Sequence, residues 1–150
     1  MKKLLVRLLT LTTVFAVSAC AAFAAAGWDD DYDKALAKAK AEKKMVLLDF
    51  TGSDWCGWCV KLDKDIFSTP DFKAYAKDNL VLVELDFPNK KQQSEKLKAQ
   101  NQKLKSEFGV KGFPTIVVLN SEGKKVGELV GYTPGGPSAF IAKVNELKGK

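Results

Sequence analysis

A chain of 150 residues is about one domain's worth, and 24 Lys+Arg against 18 Asp+Glu give it a formal net charge of +6. The basic residues are spread along lysine-rich stretches without clusters interleaved with aromatics, so nucleic acid is not an expected partner. There is no histidine and there are only three cysteines, too few ligands for a tetrahedral zinc site, so neither a metal nor a cofactor is expected.

Lys2, Lys3 and Arg7 precede an apolar stretch over residues 8–19 that is too short to span a bilayer comfortably, and Ala21, Ala22, Ala24, Ala25 and Ala26 follow. This is the layout of a bacterial secretory signal peptide over residues 1–26. Ala22-Phe23-Ala24 and Ala24-Ala25-Ala26 both fit the A-x-A pattern, which places cleavage near Ala24 or Ala26. Val17-Ser18-Ala19-Cys20 also resembles a lipobox, so acylation and a lipid anchor at Cys20 stand as the alternative. The expected location is periplasmic or secreted, with one folded domain over residues 27–150. The leader holds three of the basic residues and none of the acidic ones, leaving an excess of three positive charges. Two cysteines remain in the domain, so no disulfide framework is available to staple it.

The domain reads as alternating helices and strands. Asp29-Asp30-Asp31 can cap a helix over residues 32–44 with Tyr32, Leu36 and Ala39 on one face. Residues 45–50 (MVLLDF) form a near-continuous apolar run, as expected of a strand covered on both sides. Thr51-Gly52-Ser53-Asp54 is a loop, and a helix over residues 56–67 breaks at Ser68-Thr69-Pro70 and resumes over 71–78. Residues 80–87 (LVLVELDF) are a second buried strand, and 89–108 read as a polar helix with Leu97 and Leu104 on its packed edge, closed by Gly109. Residues 115–119 and 124–130 form a hairpin around 120–123, and 138–147 are a final helix with Phe140, Ile141 and Val144 inward.

The chemistry sits where the first strong strand meets its helix, at Trp55-Cys56-Gly57-Trp58-Cys59. A thiol at a helix N-terminus faces unsatisfied N–H groups and the positive end of the helix dipole, and both favour the thiolate. A cysteine three residues on lies one turn away, near enough to close a small ring, so Cys56–Cys59 reads as a redox-active disulfide. Haem attachment would need a histidine after the second cysteine, where Val60 stands. A purely structural bridge across one turn would restrain the unfolded chain little.

Three stretches carry a family resemblance: Leu48-Asp49-Phe50 leading to Trp55-Cys56-Gly57-x-Cys59, then Gly112-Phe113-Pro114-Thr115 before the third strand, then the hairpin and last helix. In this order the chain resembles the thioredoxin family, specifically exported bacterial thioredoxin-like proteins. The resemblance implies an α/β fold with a mixed four-stranded sheet flanked by helices, to which the stretch around Trp28 can add a short fifth strand. It also implies a protein thiol–disulfide oxidoreductase in which Cys56 attacks and Cys59 resolves. Gly57 matches the thioredoxin-type dipeptide, which points to the reductase or isomerase direction; Trp58 stands where thioredoxins have proline.

By the same resemblance Asp49 is the buried acid that deprotonates Cys59 through water, against the alternative of a strand-end carboxylate in solvent. One extra residue separates Asp49 from Cys56 compared with thioredoxins. Pro114 is expected to be cis, with Phe113 offering backbone edges to substrate; a trans proline opening a strand is the alternative. Trp55 is expected to shield the site, and Trp58 either to touch substrate or a membrane partner or to pack on its own domain. The implied partners of a monomer are protein thiols and disulfides and a membrane-bound electron donor or acceptor. A non-catalytic binding or chaperone-like module of the same fold is the competing reading.

Overall fold

The computed structural model describes residues 27–148. The expected leader, its cleavage points at Ala24 and Ala26, and Cys20 lie outside the described residues. Among the described residues five strands and five α-helices follow one another: β1 (Trp28–Asp29), α1 (Tyr32–Glu42), β2 (Met45–Thr51), α2 (Gly57–Leu62), α3 (Pro70–Asn79), β3 (Leu80–Asp86), α4 (Glu95–Glu107), β4 (Thr115–Leu119), β5 (Lys125–Val130) and α5 (Gly136–Leu147). The strands form one sheet in the order β1-β3-β2-β4-β5, parallel among β1, β3 and β2 and antiparallel for β4 and β5. The short fifth strand around Trp28 forms, pairing Trp28 with Leu82 and Asp29 with Val83.

Side chains alternate across a strand, so the unbroken apolar runs of β2 and β3 feed two cores. Met45, Leu47, Leu80 and Leu82 face the layer of α2, α3 and α5 with Leu62, Ile66, Phe72, Phe140 and Val144. Val46, Leu48, Phe50, Val81, Val83 and Leu85 face α1 and α4 with Ala35, Ala39 and Leu104. Fully burying side chains of this size stabilises the fold by about 1.5–3 kcal/mol each. The alternation also decides the fate of Asp49: an odd position in β2, it shares the face of Met45 and Leu47 and points under α2.

Helix ends follow their caps. Asp31 accepts the Lys34 N–H at 3.0 Å, and the Thr69 hydroxyl caps α3 with Pro70 in its first turn. Past α4, the Val110 N–H bonds Lys105 O and the Gly109 N–H bonds Ser106 O, with Gly109 at φ 67°. This is the left-handed glycine stop expected at that position.

Three expected helices change. The polar helix begins at Glu95, capped by Ser94, and not at residue 89, because the backbone N–H groups of Asn89, Lys90 and Lys91 are all taken by the Asp54 carboxylate. The helix expected over 56–67 starts at Gly57 with Cys56 as its cap, then widens into a π-helical turn over Asp63–Phe67, closed by the Ser68 N–H on Asp63 O at 2.8 Å. α5 opens two residues earlier than expected, after Gly135 at φ 102°.

Candidate active site

β2 is the central strand, and the chain leaves its C-terminal end toward the cysteines. Thr51 pairs with Asp86, and beyond them Ser53 donates to the Asp86 carboxylate twice, from its N–H at 2.9 Å and its hydroxyl at 2.6 Å. Asp54 holds residues 89–91 by three hydrogen bonds of 2.7–3.1 Å, and these backbone donors pull its carboxyl below the usual range. Loops from β2 and β3 are therefore clamped together just before the cysteines. The Trp55 and Cys56 N–H groups both bond Gly52 O, turning the chain into α2.

Cys56 and Cys59 are joined by a disulfide, their Cα atoms 5.3 Å apart. Cys56 is the N-cap, and its Sγ accepts the Cys59 N–H at 3.3 Å. Both cysteines are nearly covered in this disulfide-bonded state, Cys56 at 7% exposed and Cys59 at 4%. Gly57 is exposed, and a Cβ there would meet nothing within 4 Å.

Asp49 is buried, not a solvated strand end, and its Oδ1 has no hydrogen-bond partner. Burial pushes its carboxyl well above the ordinary range, reinforced by the charges of Glu84, Asp63 and Asp86. It opens onto a cavity of about 290 Å³ whose lining includes Cys59, Asp63, Glu84 and Lys91, so carboxyl and inner cysteine share one wettable space. Glu84, the register partner of Asp49 on β3, is raised too, first by desolvation and then by Asp86.

The Phe113–Pro114 peptide is cis, and Pro114 O accepts the Gly131 N–H at 2.8 Å. Phe113 brings this loop beside the cysteines: its ring meets the Trp55 ring edge-on at 5.9 Å and lies against Phe87 at 5.1 Å. The Lys105 ammonium caps both phenyl rings, 5.2 Å from Phe113 and 5.5 Å from Phe87. Trp55 is half exposed and anchored by its indole N–H on Phe87 O at 2.8 Å. Trp58 is 61% exposed, with its ring 5.8 Å from that of Tyr132.

Sequence reading missed Ser53, Asp54, Asp86, Phe87, Asp65 and Tyr132. The hydrogen bonds that tie them into the site from other elements span 32 to 67 positions along the chain, so no local pattern marks them.

Gly52 is required by this packing: a Cβ there would lie 2.5 Å from Trp55 Cε2, and the ring cannot retreat without losing its bond to Phe87 O. Gly52→Ala is expected to destabilise the domain by about 1–3 kcal/mol. Denaturant unfolding checks this, together with a shift of tryptophan emission in the folded variant.

Sheet order, cis-proline loop and a CxxC disulfide at the start of α2 define a class, the redox-active thioredoxin fold. The thioredoxin-like domain family matches residues 32–147, and the chain belongs to it. It is 42% identical over 115 residues to the disulfide bond reductase DsbH of Chlamydia pneumoniae, covering 77% of this chain and 69% of that protein. A solved structure of a DsbH oxidoreductase superposes with a TM-score of 0.77 at 37% identity, covering 94% of each chain. The thioredoxin-related protein DsbJ of Chlamydia pneumoniae is 33% identical over 66% of this chain, which spans only 28% of DsbJ. With its closed Cys56–Cys59 bond, the protein is a thiol–disulfide oxidoreductase of this family.

Proposed function

We propose that the protein reduces disulfides of exported proteins, with Cys56 as nucleophile and Cys59 as resolving thiol. The Cys56 thiolate attacks a substrate disulfide, forming a mixed disulfide and releasing one substrate thiolate. Cys59, giving its proton to Asp49 through water in the shared cavity, attacks Cys56 Sγ and releases the second. Two electrons pass to substrate and the Cys56–Cys59 disulfide remains, the state the structure holds. A donor dithiol then restores the pair; in an oxidising compartment its electrons come from a membrane-bound conductor.

The observation that carries this reading is the position of the pair, with Cys56 capping α2 and Cys59 opening onto the cavity of Asp49. The reducing direction rests on the likeness to a disulfide bond reductase. Phe113, Pro114, Trp55 and Trp58 border the path of an extended substrate segment. Residues 1–26 support export to the periplasm, and Cys20 a lipid anchor in place of full release. Among the described residues no helix is long and apolar enough to cross a membrane.

Turnover of a disulfide-bonded protein with a thiol donor tests the reading, set against the Cys56→Ser/Cys59→Ser double variant. The double variant is expected to fall to the uncatalysed rate. An unaltered protein no faster than the double variant, with both at the uncatalysed rate, would identify a binding module instead of an enzyme.

A further inference from the structure

Trp58 presents an unusual combination: a large indole between the two cysteines, mostly exposed, yet stacked on a residue from a distant loop. Tyr132 lies in the turn after β5, 74 positions along the chain, and its ring meets Trp58 with an interplanar angle of 33°. The phenol is itself held. Its hydroxyl donates to Asp65 Oδ2 at 2.9 Å, and Lys61 Nζ bonds the same oxygen at 2.6 Å. The Lys61 ammonium also lies 4.9 Å from the Tyr132 ring centroid. Asp65 sits on the π-helical turn, and the residue before Tyr132, Gly131, bonds Pro114 O. The ring is thus fixed at its hydroxyl, on one face by a cation, and through the backbone beside it to the cis-proline loop.

We propose that Tyr132 is a positioning residue for substrate selection: held by Asp65 and Lys61, it fixes the Trp58 indole as a rigid wall for peptide segments bearing a bulky apolar side chain beside the reacting cysteine. An exposed indole without a support loses rotamer freedom when it binds, and that loss weakens docking; a ring already stacked binds at lower entropic cost. Trp55 is anchored separately, on Phe87 and Phe113, so the indoles preceding Cys56 and Cys59 are locked by different neighbours. A small disulfide reaches the sulfur without touching these walls, whereas an extended peptide passes along them.

This inference rests on the proposed reductase reading and on Trp58 meeting substrate, so the experiment separates the failures. Rates are measured for a peptide disulfide with phenylalanine beside cysteine and for oxidised glutathione, with the protein, Tyr132→Ala, Tyr132→Phe and Trp58→Ala. In Tyr132→Ala the ratio of peptide to glutathione kcat/KM is expected to fall about tenfold, through a higher peptide KM. Tyr132→Phe keeps the stacked ring and loses the Asp65 bond, and should recover most of that ratio, within about threefold. Trp58→Ala should match Tyr132→Ala. An unchanged ratio in both Tyr132 variants, with Trp58→Ala reduced, overturns the role of Tyr132 while leaving the substrate wall standing. An unchanged ratio in all three overturns the wall as well, and equal loss on both substrates assigns Tyr132 to the integrity of the site. Absence of turnover by the unaltered protein on either disulfide removes the reductase reading itself.

Discussion

Cys59→Ser is expected to accumulate mixed disulfides with substrate proteins, and Cys56→Ser to form none, while both lose turnover down to the uncatalysed rate. The asymmetry comes from where each sulfur sits. Cys56 caps α2, where its sulfur already takes the Cys59 N–H; once the disulfide opens, that donor and the other free N–H groups of the first turn stabilise a thiolate. Its pKa should therefore fall below the free-thiol value of about 8.5. Cys59 lies inside the turn, covered by the protein on the side of the Asp49 cavity, and meets a substrate sulfur only after Cys56 has captured it. Non-reducing gels and mass spectrometry of the adducts read the outcome. Adducts on Cys56→Ser but not on Cys59→Ser would exchange the two roles.

Asp49→Asn should slow release of substrate from the mixed disulfide about 10²-fold at neutral pH, the usual scale for losing a positioned general base. In the unaltered protein this step should quicken as pH rises through the elevated pKa of Asp49, because only the ionised carboxylate accepts the Cys59 proton; the variant should lose that limb. Stability should move the other way. Burial raises the carboxyl of Asp49 above its ordinary value of 3.8, so in that range the folded state binds more protons than the unfolded one. The folded protein is therefore favoured by this group in acid, and the contribution is lost as pH rises toward and through the folded pKa. Asp49→Asn should accordingly be more stable than the unaltered protein at neutral pH, with the difference closing below pH 3.8. Denaturant titrations at the two pH values measure it. A variant less stable at neutral pH would show that the buried carboxyl is satisfied by partners and not strained by desolvation.

Much of this site was legible because its chemistry is local. Cys56 and Cys59 are one turn apart, and the strand leading to them is an unbroken apolar run. Gly109 ending α4 and the turn at residues 120–123 are short-range events that single residues control. The start of α4 was not legible, because helix propensity over residues 89–94 is overridden by the Asp54 carboxylate, 35 to 37 positions away. Nor does any pattern distinguish a π-helical turn at Asp63–Phe67 from a continuing α-helix, since the two differ by one shifted hydrogen bond per residue.

The amino-acid order alone was enough for the redox pair, its place at a strand–helix junction, and the alternation of elements that makes the fold. These depend on neighbours within one turn or one pleat, where composition dictates conformation. The tertiary structure decided what surrounds the pair: that Asp49 is buried yet lines the cavity of Cys59, that Trp55 is pinned to Phe87, and that Trp58 leans on Tyr132. Those contacts join residues 10 to 74 positions apart. Their partners are chosen by how helices pack on the sheet, and a sequence pattern confined to one element carries no record of that choice.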